Sequence, residues 1–144
     1  MKAIVLSCDK YIKLADHMIT TYQKNWSANP FIFRLPYEYY PQELKEKYGD
    51  KIELIHVPEC NSKIKQTVIT LLEDLDDEDW IYWCIDDKYL IEIKTQQVQE
   101  IYEWITSLSD SDISGIIFCR VRNLLKDQYL LSDREAIFAS NGNK

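Results

Sequence analysis

The stretch from Asp74 to Leu90, DLDDEDWIYWCIDDKYL, carries two groups of carboxylates separated by six mostly apolar residues. Neighbouring carboxylates can hold a hard divalent cation, because Mg²⁺ and Mn²⁺ take oxygen ligands and bridge to phosphate oxygens. The upstream group, Asp74 to Asp79, fails as a calcium loop: counted from Asp74, the position that needs Gly is Asp79 and the one that needs Glu is Ile85. It reads as a solvated turn. Asp86 and Asp87 remain as candidate ligands for Mn²⁺ or Mg²⁺, the plain alternative being a polar loop after a buried strand.

Other residue types narrow the chemistry. The chain has three glycines, Gly49, Gly115 and Gly142, and none follows the first apolar run. Neither a dinucleotide fingerprint nor a P-loop is therefore available, and a phosphorylated ligand would need its charge neutralised by other means. Lys63 and Lys65 fall where a helix is expected to begin, a place where the macrodipole makes cations mildly unfavourable. Such a broken local rule points to anion binding or to side chains that simply face solvent. His17 and His56 share no spacing with a nucleophile, so no Ser or Cys hydrolase triad is suggested.

Composition bounds the rest. At 144 residues, with 46% apolar content, the chain is expected to form a single domain, 1–144, with an ordinary core. Its net charge of −7, from 24 acidic against 17 basic residues, comes with no basic block able to track a phosphate backbone, which argues against nucleic acid as a partner. Cys8, Cys60, Cys84 and Cys119 have no zinc spacing and read as reduced, buried thiols, the pattern of a cytoplasmic protein. No stretch approaches the roughly 20 apolar residues of a membrane span, and the opening MKAIVLSC is too short to be a signal sequence.

The elements that must position these residues follow from periodicity. Short apolar runs at Ala3 to Leu6, Phe31 to Leu35, Ile52 to Val57, Trp80 to Ile85 and Ile113 to Cys119 read as strands, with a further short one at Ala136 to Ala139. Helical spacing predicts helices from Tyr11 to about Lys24, with Asp9 as cap, from Gln42 to Tyr48, from about Ser62 to Leu75, and from about Gln96 to Leu108. Alternating strands and helices predict an α/β fold: an open, mainly parallel, Rossmann-like sheet with helices on both faces.

In such a sheet ligands bind beyond the carboxyl ends of the strands, where strand order reverses, commonly between the first strand and the fourth. Asp86 and Asp87 follow the fourth strand, whereas the Asp74 to Asp79 run precedes it, roughly 20 Å away at about 3.3 Å per residue. The loop Ser7-Cys8-Asp9-Lys10-Tyr11 faces the Asp86–Asp87 loop across this junction. Asp9 can hydrogen-bond a base or ribose and Tyr11 can stack on one, but capping and core packing account for them equally well.

The initial strand ending in SCDKY, the helix NSKIKQTVITLLEDL and the following WIYWCIDDKYL together resemble the nucleotide-sugar glycosyltransferases of the GT-A fold. The resemblance covers about residues 3 to 108, and the family's Asp-x-Asp motif appears here as Ile85-Asp86-Asp87. It implies a GT-A-type nucleotide-binding half, with a metal at Asp86 and Asp87 on the donor diphosphate and the nucleotide at Ser7, Cys8, Asp9 and Tyr11. Lys63 and Lys65 are further candidates for the phosphate side. The implied partners are a nucleotide-sugar donor and a glycan or small-molecule acceptor. If the enzyme inverts, Asp133 or Glu135 is the candidate base.

Two other classes remain in view. Members of that family commonly continue past this length with acceptor-binding elements, so a truncated or degenerate nucleotide-binding module without turnover is the alternative expectation. A receiver-type phosphoacceptor domain fits poorly: it wants an Asp after the third strand and a Lys after the fifth, where this chain has His56-Val57-Pro58 and Cys119-Arg120.

Overall fold

The computed structural model of the protein describes residues 1–77 and 79–107 and, beyond them, the strand segments 115–117, 128–132 and 135–138. The chain divides into two compact units, Met1–Glu103 and Trp104–Lys144. The first contains β1 (Lys2–Leu6), α1 (Ile12–Asn25), β2 (Ile32–Tyr37), α2 (Gln42–Tyr48), β3 (Ile52–His56), α3 (Ile64–Leu72) and β4 (Ile81–Ile85), after which α4 (Thr95–Ser107) begins. β1 to β4 form one sheet in the order β3-β2-β1-β4, and every pairing in it is parallel. This is the expected open α/β, Rossmann-like arrangement.

Side-chain alternation along the strands shows how both faces are covered. Ala3 and Val5 on β1, Phe33 and Leu35 on β2 and Cys84 on β4 share one face. They pack in one core with Ala15, Met18, Ile19 and Tyr22 of α1 and with Leu44 and Tyr48 of α2. The Tyr22 and Tyr82 hydroxyls are 3.0 Å apart across this core, and the Phe31 ring stacks on Tyr82 at 4.4 Å. Ile4 and Arg34 alternate onto the opposite face, where α3 packs against β2.

Arg34 is 1% exposed, a full charge inside the sheet. Its Nη2 donates to Asp74 Oδ1 at 2.6 Å, and its Nε lies 3.4 Å from Glu53 Oε2, which also accepts from Lys2 Nζ at 2.7 Å. The pairing offsets part of the cost of burying the ion, while Nε and Nη1 have no hydrogen-bond partner among the described residues. The acidic turn expected to be merely solvated therefore divides: Asp77 and Asp79 are exposed, while Asp74 is the counter-ion of a buried arginine.

Expected and observed boundaries agree closely for α2, which stops at Gly49; that residue's φ of 55° is the left-handed conformation glycine adopts freely. α3 is shorter than expected, and its fully buried positions are Thr67 and Leu71, whereas Ile64 is 65% exposed.

In the second unit β5 (Gly115–Ile117), β6 (Gln128–Ser132) and β7 (Glu135–Phe138) form an antiparallel sheet in the order β5-β7-β6. The strand expected near Ile113 to Cys119 thus pairs antiparallel with β7 and does not extend the parallel sheet, and β6 is an element that periodicity did not indicate. Among the described residues, no helix is long and apolar enough to cross a membrane.

Candidate functional site

β1 and β4 are neighbours with Leu6 paired to Ile85, so their carboxyl ends emerge side by side. Ser7 and Asp86, each one residue beyond this last pair, meet there: Ser7 Oγ donates to Asp86 Oδ2 at 2.7 Å, and both residues are buried. They open onto a cleft of about 210 Å³. Cys8 and Tyr11 line it from the β1 side, Cys60 and Asn61 from the segment between β3 and α3, and Ile64 and Thr67 from the first turns of α3. Sites that enclose a drug-sized ligand run to roughly 300–1,000 Å³. This cleft is smaller than such sites and half-open to solvent.

The loop carrying the Asp-Asp pair is tied at both ends. On one side β4 pairs with β1, and Lys88 N–H closes a turn onto Ile85 O at 3.0 Å. On the other, α1 holds Leu90: its N–H donates to Thr21 Oγ1 at 3.1 Å and its carbonyl accepts from Asn25 Nδ2 at 2.6 Å. The Tyr89 ring meets His17 edge-on at 4.7 Å. The aromatic-aliphatic tail of DDKYL is therefore the anchor of that loop. Within it the two carboxylates have different surroundings: Asp86 turns inward to Ser7, while Asp87 is exposed, with Lys88 Nζ 3.5 Å away.

Asp9 does not cap α1. A short 3₁₀ turn, Asp9–Tyr11, precedes the helix without a side-chain cap. The Asp9 carboxylate instead accepts the N–H of Glu38 at 2.9 Å and of Tyr39 at 3.3 Å, and the Cys60 thiol donates to it at 3.4 Å. Asn61 adds a second stitch, accepting Lys10 N–H at 3.3 Å and donating to Glu38 Oε2 at 3.4 Å. The loops after β1, β2 and β3 are thereby fastened together.

Asp9, Glu38 and Cys60 also bring possible metal-ligating atoms within 4.8 Å of one another, a cluster that sequence reasoning missed. Each follows a different parallel strand, so strand order could have flagged them. Burial pushes the Cys60 thiol up to about 11. Its thiol donates to Asp9, which also accepts the two backbone amides, so hydrogen bonds join these residues into a clamp.

Lys63 and Lys65 are exposed and do not line the cleft; Ile64 between them does. Lys63 is paired with Glu59, so its charge at the start of α3 is offset locally. Of the candidates for the nucleotide, Ser7, Cys8 and Tyr11 share the cleft with Asp86, whereas Asp9 and the two lysines do not. Glu135 belongs to β7 of the second unit, and Asp133 lies outside the described residues.

The fold and the cleft define an open Rossmann-like α/β unit with a mainly apolar cleft, carrying Ser7, Asn61, Thr67 and Asp86 among its lining, at the β1/β4 junction on the carboxyl edge of the sheet. No protein-family model, curated protein or solved structure matches the chain.

Proposed function

We propose that the protein is a GT-A-like glycosyltransferase domain that binds a nucleoside diphosphate sugar at the β1/β4 junction and transfers the sugar to a glycan or small-molecule acceptor. The observation that carries the proposal is the Ser7–Asp86 pair: a buried carboxylate, held by a hydroxyl, that opens onto a cleft at the switch point of a parallel sheet. Asp86 and the adjacent exposed Asp87 offer the oxygen donors that a hard cation such as Mn²⁺ or Mg²⁺ requires. Such a cation would supply counter-charge to the donor diphosphate. The chain's own residues would do the rest. Cys8, Tyr11 and Asn61, which line the cleft, would receive one end of the nucleotide, while Asp133 and Glu135 are carried only from the sequence as candidates for a base toward the acceptor hydroxyl. The buried free thiols Cys8, Cys60 and Cys84 suit a cytoplasmic location.

A second reading is a nucleotide-binding module without turnover. It is favoured by the fact that every residue lining the cleft belongs to the unit Met1–Glu103, so that binding need draw on nothing else.

Calorimetry with UDP, GDP and CMP, with Mn²⁺ and then with EDTA, tests both. The expected result is Mn²⁺-dependent binding of one nucleotide, abolished in Asp86→Ala and Asp87→Ala and retained in Asp77→Ala. Equal losses from all three substitutions, or binding indifferent to metal, would refute the proposal. Donor hydrolysis alongside binding supports the enzyme, and binding without hydrolysis supports the module.

A further inference from the structure

We infer that Ser7 is a positioning residue for the Asp86 carboxylate, fixing one oxygen so that the other is presented to a divalent cation, and does not itself contact the nucleotide. The inference rests on the metal reading above. The bond is built by the sheet: Leu6 and Ile85 are in register, and the next residue on each strand supplies one partner. A serine hydroxyl has a single proton to donate. Here it is committed to Asp86 Oδ2 at 2.7 Å, with both residues more than nine-tenths buried.

No other hydrogen bond among the described residues reaches the Asp86 carboxylate, so Ser7 alone sets its orientation at the cleft. Asp87 is exposed and, among the described residues, has an ion pair with Lys88 and no side-chain hydrogen bond of this kind. One carboxylate is thus pre-set and its neighbour adapts. Groups that orient a metal ligand from behind typically account for about 10–100-fold in metal affinity.

The test is Mn²⁺ titration of the full chain without nucleotide, followed by electron paramagnetic resonance of the free ion. Ser7→Ala should bind Mn²⁺ about 10–100-fold more weakly than the natural chain. Ser7→Thr, which keeps the hydroxyl, should restore binding, and adding Ser7→Ala to Asp86→Ala should cost nothing further. Should Ser7→Ala fail to fold by circular dichroism, Ser7→Cys keeps the volume with a weaker donor, and the same weakening is expected of it. Wild-type affinity in the Ala or Cys chain, or a Thr chain as weak as the Ala chain, overturns the inference while leaving the metal reading intact. A natural chain that does not bind Mn²⁺ brings down the metal reading and this inference with it.

Discussion

Replacing Asp74 by Ala leaves Arg34, 1% exposed, with Glu53 as its remaining ionic partner, at 3.4 Å. Breaking a fully buried pair from one side costs about 3–5 kcal/mol, whereas an exposed pair is worth about 0.2–1 kcal/mol. This pair lies between those limits, because the Asp74 side chain is 65% exposed and water can reach the vacated Nη2. The expected loss is therefore about 1–3 kcal/mol, or a fall in Tm of roughly 5–14 °C for a unit of this size. Asp77→Ala, in the same acidic run, should stay within about 0.5 kcal/mol of the natural chain.

Thermal and urea unfolding followed by circular dichroism would measure both. Arg34→Met combined with Asp74→Ala closes a double-mutant cycle whose coupling should be about 1–3 kcal/mol. The pH dependence has a definite sign. The Arg34 hydrogen bond holds the Asp74 carboxyl below its ordinary 3.8. Its contribution is therefore complete above that value and is lost as pH falls through the lower folded value. Asp74→Asn should lack this part of the acid sensitivity. Indistinguishable Asp74→Ala and Asp77→Ala chains, or no coupling to Arg34, would refute the assignment of Asp74 as counter-ion.

Two further outcomes follow from the same geometry. Asp9→Ala should cost about 1–2 kcal/mol and speed hydrogen exchange at the Glu38 and Tyr39 amides, while Asp9→Asn keeps an acceptor for Glu38 N–H and should leave nucleotide binding unchanged; unaltered exchange in Asp9→Ala would show that the clamp is idle. Burial pushes the Cys60 thiol up to about 11 and the Cys84 thiol to about 12, so neither should react with iodoacetamide at pH 8 in the folded chain, and both should once guanidinium unfolds it; peptide mapping that finds Cys84 alkylated at the free-thiol rate in the folded chain would contradict its packing.

The four parallel strands were legible because each is a short apolar run, although only β1 and β2 are buried along most of their length, and the helices between them because their spacing repeats at 3.6 residues. What periodicity could not reveal was non-local. FIFRL reads as an ordinary strand, yet Arg34 is tenable within it only because Asp74, forty residues on, reaches back to it. Ile64 belongs to a regular apolar stripe, but α3 buries Thr67 and leaves Ile64 at the lip of the cleft, since a stripe says which residues share a face and not where that face points. β5 and β7 likewise read as strands, while their partners depend on pairing that is set only when the chain is assembled.

At the candidate site, direction and order were enough to say which acidic group lies on the carboxyl edge of the sheet. Parallel strands place every carboxyl end on one edge, and β1 beside β4 sets Asp86 opposite Ser7. Residue type alone, however, overstates the number of groups available to a ligand, because it cannot show which ones the fold already occupies. Asp9 is taken by two backbone amides and a thiol, and Lys63 by Glu59. Asp86 differs in that its one internal bond leaves it facing open space, so that the bond orients the carboxylate without consuming it. A denser acidic run offers more charge, but the proposed metal site calls for a carboxylate on the carboxyl edge of the sheet that lines a cleft, and of the acidic candidates Asp86 is the one found there among the described residues.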